Sequence, residues 1–165
     1  MYNRKDSIRT IQLLLSERPT ARANVSGSEK YPDLRGYVNF YRLENGVIVL
    51  SEIWNLPEVV KDSCLCSVFG FHIHSGGECV DSGEEPFKSA GSHYNPTSCP
   101  HPCHAGDMPP LFGNDGYAFS MFFTDRFRVR DIVGKTVIIH SMPDDFTTQP
   151  AGNSGERIAC GVIRR

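Results

Sequence analysis

Residues 35–56 read RGYVNFYRLENGVIVLSEIWNL, two runs of mostly alternating apolar and polar residues around the turn Glu44-Asn45-Gly46. Alternation with period two sends successive side chains to opposite faces of a strand, and a short Asn-Gly turn joins antiparallel neighbours. The stretch therefore predicts a β-hairpin of Arg35–Leu43 and Val47–Leu56, stopped by Pro57, which has no N–H to extend a ladder. Outward from it, the same pattern returns in TARANV (20–25), SVFGFHIH (67–74), GYAFSMFFT (116–124), KTVIIHS (135–141) and RIACGVI (157–163). About seven strands with almost no helical periodicity predict an all-β fold, a Greek-key β-sandwich or barrel of the immunoglobulin-like kind. Residues 75–114 and 142–155 are the two long connections, and loops of that length are expected to be functional.

The chain of 165 residues is expected to hold one domain, residues 20–165, preceded by an extension over residues 1–19. In that extension Asp6 or Ser7 can cap a short amphipathic helix with Ile8, Ile11 and Leu15 on one face, ended by Pro19. Its apolar cluster is too short and too polar for a secretory segment, so a cytoplasmic location is expected. A net charge of -2 gives no basic surface for a nucleic acid, and no apolar run reaches membrane-spanning length; neither partner is expected. Six cysteines sit awkwardly with a reducing compartment, where metal or redox roles are the usual reason for them.

All six histidines fall at strand ends or in one loop. His72 and His74, two apart in FHIH, leave the same face of a strand, and His140 ends VIIH. His93, His101 and His104 lie in HYNPTSCPHPCHAGD (93–107) with Asp107 at its end. From its residues alone this stretch fits a zinc knuckle, a disulfide-tied loop or part of a larger metal site. Imidazoles suit copper and zinc, and a carboxylate added to histidines suits tetrahedral zinc. Seven candidate ligands exceed one tetrahedral ion, whereas two ions sharing a ligand use all of them.

The strings GFHIH, GSHYNP, HAGD, IIHSMPDD and AGNSGERIACGVI, in this order, resemble the copper,zinc superoxide dismutases from Ala21 to the end of the chain. The resemblance implies copper held by His72, His74, His93 and His140, and zinc held by His93, His101, His104 and Asp107, with His93 bridging. It also implies that Asp144 orients His72 and His101 from behind, that Arg157 attracts and orients superoxide beside the copper, and that Cys79 and Cys160 form a disulfide. The implied reaction is conversion of superoxide to oxygen and hydrogen peroxide by copper redox cycling. Superoxide is then the substrate, with a homodimer and a copper chaperone as the partners to consider.

The sequence departs from that family in two places. Cys99 and Cys103 flank His101; a local disulfide is expected, with a Cys-His-Cys-His zinc cluster as the alternative. Residues 141–156, SMPDDFTTQPAGNSGE, lack lysine and the charge run by which typical members steer an anion, leaving Arg157 as the clear positive group. Cys64 and Cys66 support no choice between burial, pairing and reactivity. A copper-holding or copper-delivery domain of the same fold, without catalysis, is the alternative function, and a zinc-stabilised binding module would leave His72, His74 and His140 unexplained.

Overall fold

The computed structural model describes residues 16–83 and 85–165. The expected helix bearing Ile8, Ile11 and Leu15 lies outside the described residues. Strand β1 (Ala21–Gly27) precedes the hairpin β2 (Arg35–Arg42) and β3 (Val47–Trp54). The short strands β4 (Val60–Lys61), β5 (Cys64–Leu65) and β6 (Val68–Phe69) lead into β7 (Phe71–His74). After the first long loop come β8 (Leu111–Phe112) and β9 (Tyr117–Thr124), then the single turn α1 (Val129–Ile132), β10 (Thr136–His140) and β11 (Arg157–Arg164).

The 35–56 hairpin forms as read, in unbroken register from Arg35 opposite Trp54 to Arg42 opposite Val47. It sits inside one antiparallel sheet ordered β7-β10-β11-β1-β2-β3-β9, which curls around its own apolar face in the manner of a Greek-key barrel. Alternation decides which residues fill it. In β1, Ala21, Ala23 and Val25 are buried and the residues between them are exposed, and Phe40, Ile53, Phe69, Phe71, Ile73, Val137, Ile139 and Ile158 close the interior. Each large apolar side chain so buried contributes about 1.5–3 kcal/mol relative to exposure. No helix among the described residues is long and apolar enough to cross a membrane.

The strand expected over residues 67–74 is broken in two at Gly70. There the backbone N–H donates to Met142 C=O at 2.7 Å, and a Cβ on Gly70 would lie 2.9 Å from the Ser154 side chain. The second long loop thus approaches the strand too closely for any side chain, and β6 leaves to pair with β8 while β7 pairs with β10. The same period that puts Phe71 and Ile73 into the core turns His72 and His74 to the outside of the barrel. The two long loops cover them there, so that all six histidines end up buried.

A second, smaller apolar cluster lies on this outer side. Ile138 and Cys160, opposite one another on β10 and β11, pack with Phe87 and Ala90 of the first long loop. The Cys79–Cys160 disulfide joins this loop to β11 across 81 residues of sequence.

Candidate metal centre

Strand β7 is flanked by β10 on one side, and the loop residues zip the other side. Ile73 N–H donates to Gly106 C=O and Ile73 C=O accepts from Tyr94 N–H, both at 2.8 Å, while Met108 N–H reaches Phe71 C=O at 3.3 Å. This docking brings His93 and the 101–107 segment against His72 and His74. The result, among the described residues, is two groups with mutually close ligand atoms: His72, His74, His93 and His140, and His93, His101, His104 and Asp107.

Hydrogen bonds on the outward ring nitrogens of four of the six rings fix which nitrogen faces inward. His74 Nδ1 donates to Gly91 C=O at 2.9 Å and His140 Nδ1 to Gly155 C=O at 3.3 Å. Burial, reinforced by the neighbouring histidines, holds the His74 pKa well below its usual value and the His140 pKa down at about 3. Both rings are therefore neutral at pH 7, with their one N–H already used. Their Nε2 lone pairs nevertheless face each other at 3.3 Å. Two bare lone pairs repel unless a cation lies between them, and two nitrogens each about 2.0 Å from one ion at a tetrahedral angle stand about 3.3 Å apart.

Asp144 performs the same service for both groups. Its Oδ2 accepts from His72 Nε2 at 2.7 Å and its Oδ1 from His101 Nε2 at 2.8 Å. Burial raises the pKa of this carboxyl, but the bonds from His72, the Phe146 N–H and His101 outweigh it and bring the value down to about 2. Burial is likewise the main cause that lowers the His72 pKa. The inward atoms His72 Nδ1, His93 Nε2, His101 Nδ1 and His104 Nδ1 are buried without a hydrogen-bond partner. Buried unsatisfied nitrogens are costly, and four of them converging mark ligand positions.

The second group closes on a carboxylate. Asp107 Oδ1 lies 2.8 Å from His93 Nδ1 and 3.3 Å from His104 Nδ1, and Asp107 Oδ2 lies 3.1 Å from His101 Nδ1. Burial raises the Asp107 pKa, and the bond from His93 with the charge of the three histidines more than offsets this, so the group stays ionised. Three imidazoles and one carboxylate suit a closed tetrahedral zinc site, and four imidazoles suit copper. His93 presents one nitrogen to each group.

Cysteines contribute no ligand. Cys79–Cys160 is formed, but the bridge expected between Cys99 and Cys103 is not. Cys99 Sγ is instead 3.2 Å from Thr97 Oγ1 and Cys103 is exposed, while His101 between them turns inward to Asp144. The Cys-His-Cys-His alternative fails for the same reason. Cys64 in β5 and Cys66 just after it are exposed thiols, where β4 and β5 pair in a short hairpin.

Arg157 is held half-buried beside the histidines by two main-chain carbonyls. Its Nη1 donates to Phe87 C=O at 2.6 Å and its Nη2 to Gly91 C=O at 2.7 Å, the same carbonyl that receives His74. Together with His74, His93 and His140 it lines a cavity of about 440 Å³. The carbonyls of Gly91 and Gly155 were invisible to sequence reasoning, because a main-chain acceptor carries no residue signature.

Two imidazole-rich ligand groups joined through one histidine, on the outside of an antiparallel barrel, define a dinuclear transition-metal protein. A family model described as copper/zinc superoxide dismutase matches residues 34–163, and the chain belongs to that family. It is similar to copper–zinc superoxide dismutase 2 of Aquifex aeolicus, 34% identical over 144 residues that cover 78% of each chain. Superoxide dismutase 1 of the same organism is 33% identical over 144 residues, covering 78% of this chain and 79% of that one. The copper–zinc superoxide dismutase of Deinococcus radiodurans is 34% identical over 113 residues, covering 58% and 62%.

Proposed function

We propose that this protein dismutates superoxide at the four-histidine group, with Arg157 as the residue that draws in and orients the anion. Two superoxide anions and two protons become one dioxygen and one hydrogen peroxide. The observation that carries the reading is the pair of ligand groups sharing His93, opening on a cavity that Arg157 lines. Copper, when bound, supplies the one-electron couple, and zinc supplies fixed charge without redox chemistry.

The chain's own residues supply the rest. His74 and His140 offer lone pairs because Gly91 and Gly155 take their N–H groups. His93 Nε2 faces the copper group with no protein partner, so it is the atom at which the chain can hold a proton for the second anion. Two carbonyls fix the Arg157 guanidinium, and although burial lowers its pKa, guanidinium remains cationic at neutral pH. The second loop, residues 142–155, has no lysine or arginine and carries Asp144 and Asp145, so steering by local potential rests on Arg157.

Stopped-flow superoxide decay, normalised to bound copper, tests this. His140→Ala is expected to abolish fast decay, and Arg157→Ala to slow it roughly tenfold or more with copper retained. Full copper occupancy with decay no faster than buffer would instead favour copper holding or delivery.

A further inference from the structure

Residues 99–107 form neither helix nor strand, yet they deliver three ligands, His101, His104 and Asp107. Backbone N–H and C=O groups in such a segment need partners outside any regular ladder. Strand β7, Tyr94 and turns within the loop supply some of them, Asn95 bonds both backbone groups of Cys99, and two side chains from distant segments supply others. Gln149, in the second long loop, accepts His101 N–H on Oε1 at 3.0 Å and donates from Nε2 to His101 C=O at 2.7 Å. This is the two-way exchange that paired antiparallel residues make, carried out by one side-chain amide of the surface residue Gln149 on the backbone of His101, which is itself only 3% exposed.

Arg126, just after β9, holds the next turn. Its Nη1 donates to Pro102 C=O at 3.0 Å, with the carbonyls of His104 and Asp107 at 3.4 and 3.5 Å. Among the described residues neither the Gln149 nor the Arg126 side chain has another hydrogen-bond partner. One clamp therefore grips the backbone at His101 and the other reaches the backbone at all three points that follow. A loop held in this way meets its ion with its ligands already placed, and the ordering cost falls on folding rather than on binding.

We propose that Gln149 and Arg126 are positioning residues of the zinc group, holding the 101–107 backbone in its ligand-presenting form. The proposal rests on the dinuclear reading of the site. Its consequence is specific: removing either clamp weakens the zinc group although no ligand has changed. Partners that orient metal ligands typically cost 10–100-fold in affinity when lost.

The test uses cobalt(II) as an optical probe of the tetrahedral group, with affinity read by chelator competition on the whole chain. Gln149→Ala and Arg126→Ala are each expected to weaken cobalt binding roughly tenfold or more. Arg126→Lys, which keeps one donor for Pro102 C=O, is expected to recover part of the loss. Circular dichroism and urea unfolding of the same metal-free samples separate positioning from general damage. Folded variants that bind cobalt as tightly as the unsubstituted chain overturn the proposal, and so does a loss confined to variants that have unfolded. Failure of the unsubstituted chain to take cobalt in a tetrahedral site would overturn the zinc reading itself.

Discussion

At Asp144 a single carboxylate bonds the outward nitrogens of two histidines, His72 from one metal group and His101 from the other. Asp144 thus fixes two tautomers at once, and its loss frees two rings. Asp144→Ala is expected to cost roughly 10–100-fold in zinc affinity, measured by chelator competition; retention within about twofold would remove this residue from the account. Gly152 gives an independent check. It has φ +67, and a Cβ there would fall 2.0 Å from Asp144 Oδ1 and 2.7 Å from His101 Nε2. Gly152→Ala is therefore expected to displace the carboxylate and reproduce the zinc loss with every ligand intact.

At the scale of elements, the outer face of β10 and β11 needs the first long loop to cover it. The Cys79–Cys160 bond is the covalent part of that cover, and Phe87 and Ala90 packed on Ile138 are the rest. Cross-linking residues separated by 81 positions removes chain entropy from the unfolded state worth about 4.5 kcal/mol. Reduction of the metal-free protein is accordingly expected to lower its thermal midpoint by roughly 10–15 °C. A drop under about 3 °C, read by calorimetry with and without reductant, would mean that packing alone holds the loop. The carbonyls that fix Arg157 come from this loop, at Phe87 and Gly91, so the bond also protects the entrance.

For the whole molecule, burying so many imidazoles sets the response to acid. His72, His74 and His140 all have pKa values lowered by folding, with His140 at about 3. Between that value and the ordinary histidine value of about 6.5 the unfolded chain binds more protons, so stability rises with pH. Metal-free protein is expected to lose stability as pH falls from about 6.5 toward 3, by up to about 1.4 kcal/mol per pH unit for each such histidine. Asp144, lowered to about 2, adds to this loss below its ordinary value. Urea midpoints across that range check it, and a midpoint flat from pH 7 to 5 would count against buried neutral histidines.

The alternation of residues 35–56, and of the other strands, was enough by itself to specify an all-β chain, because the two-residue period of a pleated strand is a local property. The metal ligands were legible in kind and number too, since imidazoles clustered at strand ends have few other uses, and motif order linked them to a family. Tertiary structure decided the rest. The break at Gly70 depends on a loop more than 70 residues away in sequence, the free state of Cys99 and Cys103 on the inward turn of His101, and the grip on 101–107 on Gln149 and Arg126. Such contacts join distant segments through main-chain carbonyls and amides, which every residue carries alike, so only the folded chain shows which ones meet.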